Sequence, residues 1–366
     1  MLLALHGAEV IKVEPLSGDW GRAIGRAWGD HSAHSVAFNR GKRSLALDMK
    51  SEAGRAVAHR LAGQADIVVE SFRPGVMARF GLGYEELAAA RPELVYCSVS
   101  GYGQTGPYRD RKVSDAIMQA FSGLMTVNRD DAGMPRRIGM IAIDVLTGLY
   151  AFQAVSSAML ARFRYGRGAL IDCSMLKSAA AFQAAKLIEH VLEDGRPQDL
   201  VAMAGTFPTA DGFLNVSAVR ESHYVAVCEA LERPDLITDP RFAEREERLR
   251  RTAELRGIVA EVFRARPTRE WSERLAARDV PHAAVSDYDV FLADPHVDES
   301  RTLARIALDG IGEVPFVNLP GLPETAPGTP VAHAPHIGEH SRGILEGAGY
   351  GAAEIERLVE DGVVGV

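Results

Sequence analysis

Cysteine is scarce in this chain: three in 366 residues, Cys97, Cys173 and Cys228, far apart and each among apolar neighbours. That argues against a disulfide framework or a zinc site, both of which need closely spaced thiols, and makes all three expected core residues. No apolar run approaches the roughly 18 residues of a membrane-spanning helix. Positive charge is in deficit, with 41 Lys and Arg against 49 Asp and Glu for a net charge of −8. A broad nucleic-acid surface is therefore disfavoured, and any pocket for an anionic ligand must be local. Residues 1–7 lack a basic leader and a long apolar segment, so no secretion signal is read and a cytoplasmic location is expected. There is no Gly-x-Ser-x-Gly elbow for a hydrolase triad. His336 and His340 flank Gly338-Glu339 without the placement of a zinc hydrolase helix, so no metal is expected.

A chain of this length, 47% hydrophobic, suits two domains, or one large domain carrying a smaller one. Short β-branched runs at 10–14, 66–70 and 94–100 alternate with helical patterns at 52–62 and 84–90. Such alternation predicts an α/β domain built on a parallel sheet. Each run ends in a polar or glycine-rich loop, at 15–22, 71–75 and 101–107, and open α/β sheets bind ligands at the carboxyl ends of their strands. Further on, a long apolar helix is read over 145–163 with Asp144 as its N-cap, then a strand at 169–173 and a helix at 178–192. The character changes near Gly205. A strand over 212–216 follows an Asp211-Gly212 turn, and charged helices follow at 241–264 and 268–278. An extended linker is expected over 315–335 and closing helices at 338–347 and 352–359. The expected division is a large α/β domain, 1–195, a small α+β domain, 196–305, and a segment, 306–366, returning to the first.

Two features bear on chemistry. Gly101-Tyr102-Gly103-Gln104-Thr105-Gly106-Pro107 follows a strand but lacks the ending of a P-loop and the spacing of a dinucleotide fingerprint. It reads either as an ordinary loop or as backbone N–H groups turned towards a ligand. Nearby Arg109, Arg111 and Lys112, with Arg22, Lys42, Arg43 and Arg73, read either as phosphate contacts or as a solvated basic face. Asp144, between Ile143 and Val145 at a helix start, reads as a structural cap. A carboxylate kept ionised by a helix N-terminus is also a competent nucleophile towards an activated acyl group, so both readings stand.

Taken together, several segments resemble the class III CoA-transferases (CaiB/BaiF), the family of formyl-CoA and carnitine CoA-transferases that also includes α-methylacyl-CoA racemases. The matching stretches run from Gly7 to Pro15 with Gly18-Asp19 and Arg22, then Asn39 to Leu45 with Leu47-Asp48, then Glu70-Ser71-Phe72-Arg73-Pro74-Gly75. They continue with Ser98 to Tyr108, Asp239-Pro240-Arg241-Phe242 and Gly338-Glu339-His340. The resemblance implies a Rossmann-like large domain with a smaller one, an interlocked homodimer, and acyl-CoA and a carboxylic acid as substrates, with no tightly bound cofactor, nucleic acid or membrane. By the same resemblance Asp144 is the catalytic carboxylate. Coenzyme A is expected to lie against Pro15, Arg22, Phe72, Arg73, Pro74, Gly75, Ser100, Gly101, Tyr102, Gly103, Gln104, Gly106 and Lys112.

Departures from the family pattern select among its chemistries. Racemases need a histidine, whose position falls on Ser114, and a glutamate, whose position falls on Arg220; a hydroxyl has no pKa suited to moving a proton at carbon α. Transfer is therefore expected over racemisation, with a catalytically impaired CoA-binding homologue as the further alternative. Relative to the family the chain begins after a first strand and Gly-Pro turn, which in some transferases supply thioester contacts including a glutamine. Formyl-CoA transferases also carry a glycine-rich loop where residues 202–209 here have only Gly205. Oxalate and formate are accordingly not expected as substrates, and a larger apolar acyl group is.

Overall fold

A computed structural model describes residues 1–130, 132–195 and 200–366. The chain divides into two units, Met1–Ala184 with Arg301–Val366, and Ala185–Ser300.

The larger unit is mixed α/β with parallel sheet. Ile67–Glu70, Val95–Ser100 and Ala169–Ser174 pair in parallel in that order. Val95 and Cys97 in the middle strand are fully buried, as expected for a strand covered on both faces, which explains its unbroken apolar character. A second three-stranded sheet pairs Val10–Glu14 in parallel with Lys42–Leu47, whose other edge takes the terminal strand Val364–Gly365 antiparallel. Helix Glu52–Gln64 begins where Ser51 Oγ accepts the Gly54 N–H, a standard N-cap. Its Val57 joins Leu45, Leu47, Leu94 and Tyr96 in one core, to which Ile344 and Leu345 of helix Ser341–Gly347 also belong.

The smaller unit has its own core around Leu214, Phe242, Phe263 and Trp271. Its sheet pairs Ala204–Pro208 with Phe213–Ser217 and the latter with His282–Ala284, all antiparallel. Residues compared above with a glycine-rich loop are thus largely strand. All three cysteines are buried and unpaired.

Several sequence expectations need correction. The helix read over 178–192 is two, Met175–Phe182 and Ala184–Leu192, broken at Gln183, and that over 241–264 is Arg245–Arg250 and Thr252–Phe263. Lys42–Leu47 is a strand in a stretch for which the sequence predicts none. The linker expected over 315–335 begins inside a hairpin, Leu303–Leu308 with Gly312–Val317. Pro315 suggested coil, yet a two-stranded sheet has only edges, where proline is tolerated.

The largest correction concerns helix Ala142–Tyr165, which by length and composition is apolar enough to cross a bilayer, against the reading that no such run exists. Only Ile143, Thr147 and Val155 on it are buried. Leu149, Leu160 and Phe163 are exposed, the last two at 71% and 83%, and their spacing of 11 and 3 residues places them on one face.

Candidate active site

Asp144 lies in the first turn of helix Ala142–Tyr165, not at its cap. The N-cap position is Ile141, which has no side chain to offer the orphan N–H groups. A carboxylate from another helix takes them instead: Asp115 Oδ1 accepts from Ile143 N at 2.7 Å and from Asp144 N at 3.2 Å. The sequence reading of Asp144 as the cap is therefore replaced. Asp115 performs the capping, and the Asp144 carboxylate is left without a protein hydrogen-bond partner among the described residues.

Asp115 opens the short helix Asp115–Phe121, and one turn later stands Gln119, fully buried. Gln119 Nε2 donates to Asp115 Oδ2 at 2.5 Å and to Met140 O at 3.2 Å, while its Oε1 accepts from Ile138 N at 2.8 Å. Residues four apart on a helix share a face. Asp115 and Gln119 thus form a clamp that holds residues 138–144 at several points. Beneath it Met118, Ile143, Met175 and Ala179 are packed together, with Tyr102 and Val113 against them. Composition and periodicity gave no reason to single out this pair. The legible signal was an acid and an amide at i, i+4 on a short apolar helix, Asp115-Ala116-Ile117-Met118-Gln119.

Burial, and after it the charge of Asp115, push the Asp144 carboxyl up to about 6. Asp144 is thus ionised at neutral pH, but its negative form is poorly compensated, which suits a nucleophile. Asp115→Asn removes one of the two influences that raise it. The acid limb of kcat/KM is expected to move to lower pH, and a limb that stays in place would show that Asp115 does not act on Asp144. Folding is expected to weaken by about 2 kcal/mol, because the amide cannot accept from Gln119 where the carboxylate did.

The loops after two neighbouring parallel strands are joined by side chains. Ser98 Oγ donates to Glu70 and accepts from Gln104 Nε2 at 2.7 Å, and Glu70 Oε2 accepts from Phe72 N at 2.8 Å. Phe72 is 50% exposed, Arg73 is exposed, Pro74 is half-buried, and Gly75 adopts a left-handed φ of 80° before helix Val76–Arg79. In the next loop Ser100 Oγ accepts from Gly103 N at 3.1 Å, and Gly103 has φ 98°. A β-carbon at Gly101 would lie 2.1 Å from Val113, so only glycine lets this loop close on the segment leading to Asp115. Tyr102 packs edge to face on Phe121 and Tyr108, and Gly106 and Lys112 are exposed. Residues 72–75, 100–106, 112–115 and 144 are thereby gathered at one end of one sheet.

Residues 15–22 make different contacts. Arg22 is buried, its Nε and NH2 on Glu14 at 2.8 and 2.7 Å and its NH2 also on Pro335 O. Burial alone would raise the Glu14 carboxyl, but hydrogen bonds from Arg22, Lys12 and Ser44 hold it at about 2. Arg22 therefore organises this loop from within, while Pro15 lies at its surface. Among the described residues the loop has no hydrogen bond to residues 72–75 or 100–106. Arg43 is paired with Glu9, Lys42 with Asn39 and Arg109 with Asp110, and Arg111 lies over the Tyr108 ring. Ser114 is exposed at the start of helix Asp115–Phe121. Asp30, His31 and His336 cluster with potential ligand atoms within 4.8 Å of one another, but Asp30 is committed to Ile337 N, His336 and Arg22.

The larger unit thus combines parallel α/β structure with glycine-rich strand ends beside a carboxylate raised above its ordinary value. The model of CoA-transferase family III matches residues 1–341, and the chain belongs to that family and is a CoA-transferase. It is 31% identical to the human succinyl-CoA:glutarate CoA-transferase over 98% of this chain and 84% of that one. It is 32% identical to the succinate–glutarate CoA-transferase of Agrobacterium fabrum, over 94% and 90%. Among solved structures, a CaiB/BaiF family protein from Brucella suis matches with a TM-score of 0.81 and 29% identity, covering 93% of this chain and 92% of that one.

Proposed function

We propose that this enzyme transfers coenzyme A from an acyl-CoA to a free carboxylic acid, with Asp144 carrying the acyl group and then the coenzyme. The observation that carries the reading is the Asp144 carboxylate itself: without a hydrogen-bond partner among the described residues, raised to about 6, and fixed at its backbone by Asp115. Its oxygen attacks the acyl-CoA carbonyl and the CoA thiolate leaves, giving a mixed anhydride. The thiolate attacks the aspartyl carbon of that anhydride, releasing the donor acid and leaving Asp144 as a thioester of CoA. An incoming carboxylate displaces the thiolate to form a second anhydride, and the thiolate attacks its acyl carbon, giving the new acyl-CoA and free Asp144. Each step exchanges one activated acyl bond for another, so no thioester is lost to water. The oxyanion of each tetrahedral intermediate needs backbone N–H donors.

In this reading Phe72, Arg73, Pro74 and Gly75, with Ser100 to Gly106, hold the coenzyme, and Lys112 supplies charge to its phosphates. Pro15 contributes from the first sheet, and Arg22 by shaping that loop. The subunits pair as an interlocked homodimer, for which the uncovered face of helix Ala142–Tyr165 is the supporting observation. The relatives named for glutarate turn the choice of acid away from a larger apolar acyl group and towards short dicarboxylates.

Incubation with succinyl-CoA and glutarate is expected to yield glutaryl-CoA with no solvent deuterium at carbon α. Deuterium wash-in of a branched acyl-CoA without acceptor acid would instead establish racemisation. Coenzyme A binding without exchange among a panel of donors and acids would make the chain a binding homologue.

A further inference from the structure

We infer that Arg137 reads the second carboxylate of a dicarboxylic substrate, an inference that rests on the dicarboxylate reading above. Arg136 and Arg137 stand side by side in a segment that leads directly to Asp144, but only one is free to bind. Arg136 pairs with Asp130, its Nε at 2.8 Å and its NH2 at 2.6 Å. Arg137 is exposed and has no ion pair or hydrogen bond from its guanidinium among the described residues.

Its backbone is nevertheless fixed on both sides. Arg136 N donates to Asn128 O at 2.7 Å, and Asn128 Nδ2 returns a bond to Arg136 O at 3.0 Å. On the other side Ile138 N is held by Gln119, and Ile138 packs against the cluster that contains Ile143. The clamp therefore ties Arg137 to the nucleophile. Gln119 holds the residue after Arg137, Asp115 holds Asp144, and the two clamp residues are four positions apart, about 6 Å along the axis. An extended arginine side chain and a four- or five-carbon diacid are each comparable to that length.

Electrostatics gives the reason such a residue is required. A succinyl-CoA donor brings its spare negative charge towards the ionised Asp144 and Asp115, and an acceptor diacid still meets Asp115 once Asp144 is a thioester; among the described residues neither aspartate has a cationic side chain paired with it. Like charges at close range in a partly desolvated site repel strongly. An unneutralised guanidinium with its rigid fork of donors offsets that repulsion and fixes the distal carboxylate in bidentate geometry. A monocarboxylate makes no such demand.

The test compares glutarate and butyrate as acceptors with succinyl-CoA as the common donor. In a ping-pong enzyme kcat/KM for the acceptor is independent of the donor half-reaction, so the ratio for the two acids isolates recognition of the second carboxylate. Arg137→Met is expected to lower the glutarate-to-butyrate ratio by about 100-fold, and Arg137→Lys, which keeps the charge but not the fork, by about 10-fold. An unchanged ratio overturns the assignment, as does an equal loss for both acids. Weaker inhibition by added free CoA with the ratio intact also overturns it, by placing Arg137 on the coenzyme. A wild-type enzyme that transfers to butyrate but not glutarate removes the role of Arg137 while leaving transfer standing. One that transfers to no acid overturns the parent reading.

Discussion

Replacing Asp144 by asparagine is expected to lower kcat/KM for CoA transfer by at least about 10,000-fold and, in the same step, to stabilise the folded chain at neutral pH. The first effect follows from losing the only atom that forms the covalent intermediates. The second follows from the raised carboxyl, which sits at about 6 where the unfolded chain has its ordinary value of 3.8. The folded state therefore holds its proton more tightly than the unfolded state. Stability falls as pH rises from about 4 to 6, and the penalty is present in full above that window. Asparagine removes it. The gain at pH 7.5 is about 1–3 kcal/mol after allowing for partial exposure, and it vanishes below pH 4. Urea unfolding of both proteins at the two pH values measures it. Equal stabilities at pH 7.5 would mean that Asp144 is not held under electrostatic strain.

The second large effect concerns association. Helix Ala142–Tyr165 carries Asp144 at one end and exposes Leu149 and Tyr150, then Leu160, Phe163 and Tyr165 towards the other. Leu160 at 71% and Phe163 at 83% exposure are costly to leave in water, and exposed large apolar residues grouped in this way are what a protein partner covers. In the smaller unit, helix Ala184–Leu192 has no buried residue, with Ile188, Val191 and Leu192 exposed at 61% or more. The proposed occupant is a second copy of the chain. Changing both Leu160 and Phe163 to glutamate removes two large apolar contacts and inserts two charges, a loss of at least about 4 kcal/mol. Sedimentation is expected to show a dimer for the wild type and a dissociation constant raised by about 1,000-fold or more for the variant. A wild type that sediments as a monomer, or a variant with unchanged mass, contradicts the interlocked dimer.

Much of the larger unit was legible because several of its strands are short β-branched runs that end in polar or glycine-rich loops. The run 94–100 announced a central strand, and the strand-end rule led to the loops that the structure gathers near Asp144. The strand Lys42–Leu47 escaped notice because Lys42-Arg43 opens it with charge, although its inner residues Ser44 to Leu47 are buried. The hairpin at 303–317 was hidden by Pro315. The site was legible only in part. Asp144 was found from its place at a helix start, but the clamp that fixes it lies 25 residues or more away in sequence. A single chain gives no periodic or compositional sign that Asp115 and Gln119 reach across to that helix. Arg22 shows the converse: basic residues near a strand end suggest phosphate contacts, while the fold spends this one on Glu14.

The central claim is that Asp144 becomes covalently acylated, and trapping tests it directly. The enzyme is incubated with succinyl-CoA, treated with hydroxylamine or borohydride, digested and sequenced by mass spectrometry. The predicted result is a hydroxamate or the reduced alcohol on Asp144 alone, dependent on succinyl-CoA and absent from Asp144→Asn. Modification at another carboxylate, or a wild type that exchanges CoA yet labels no better than the variant, would contradict it.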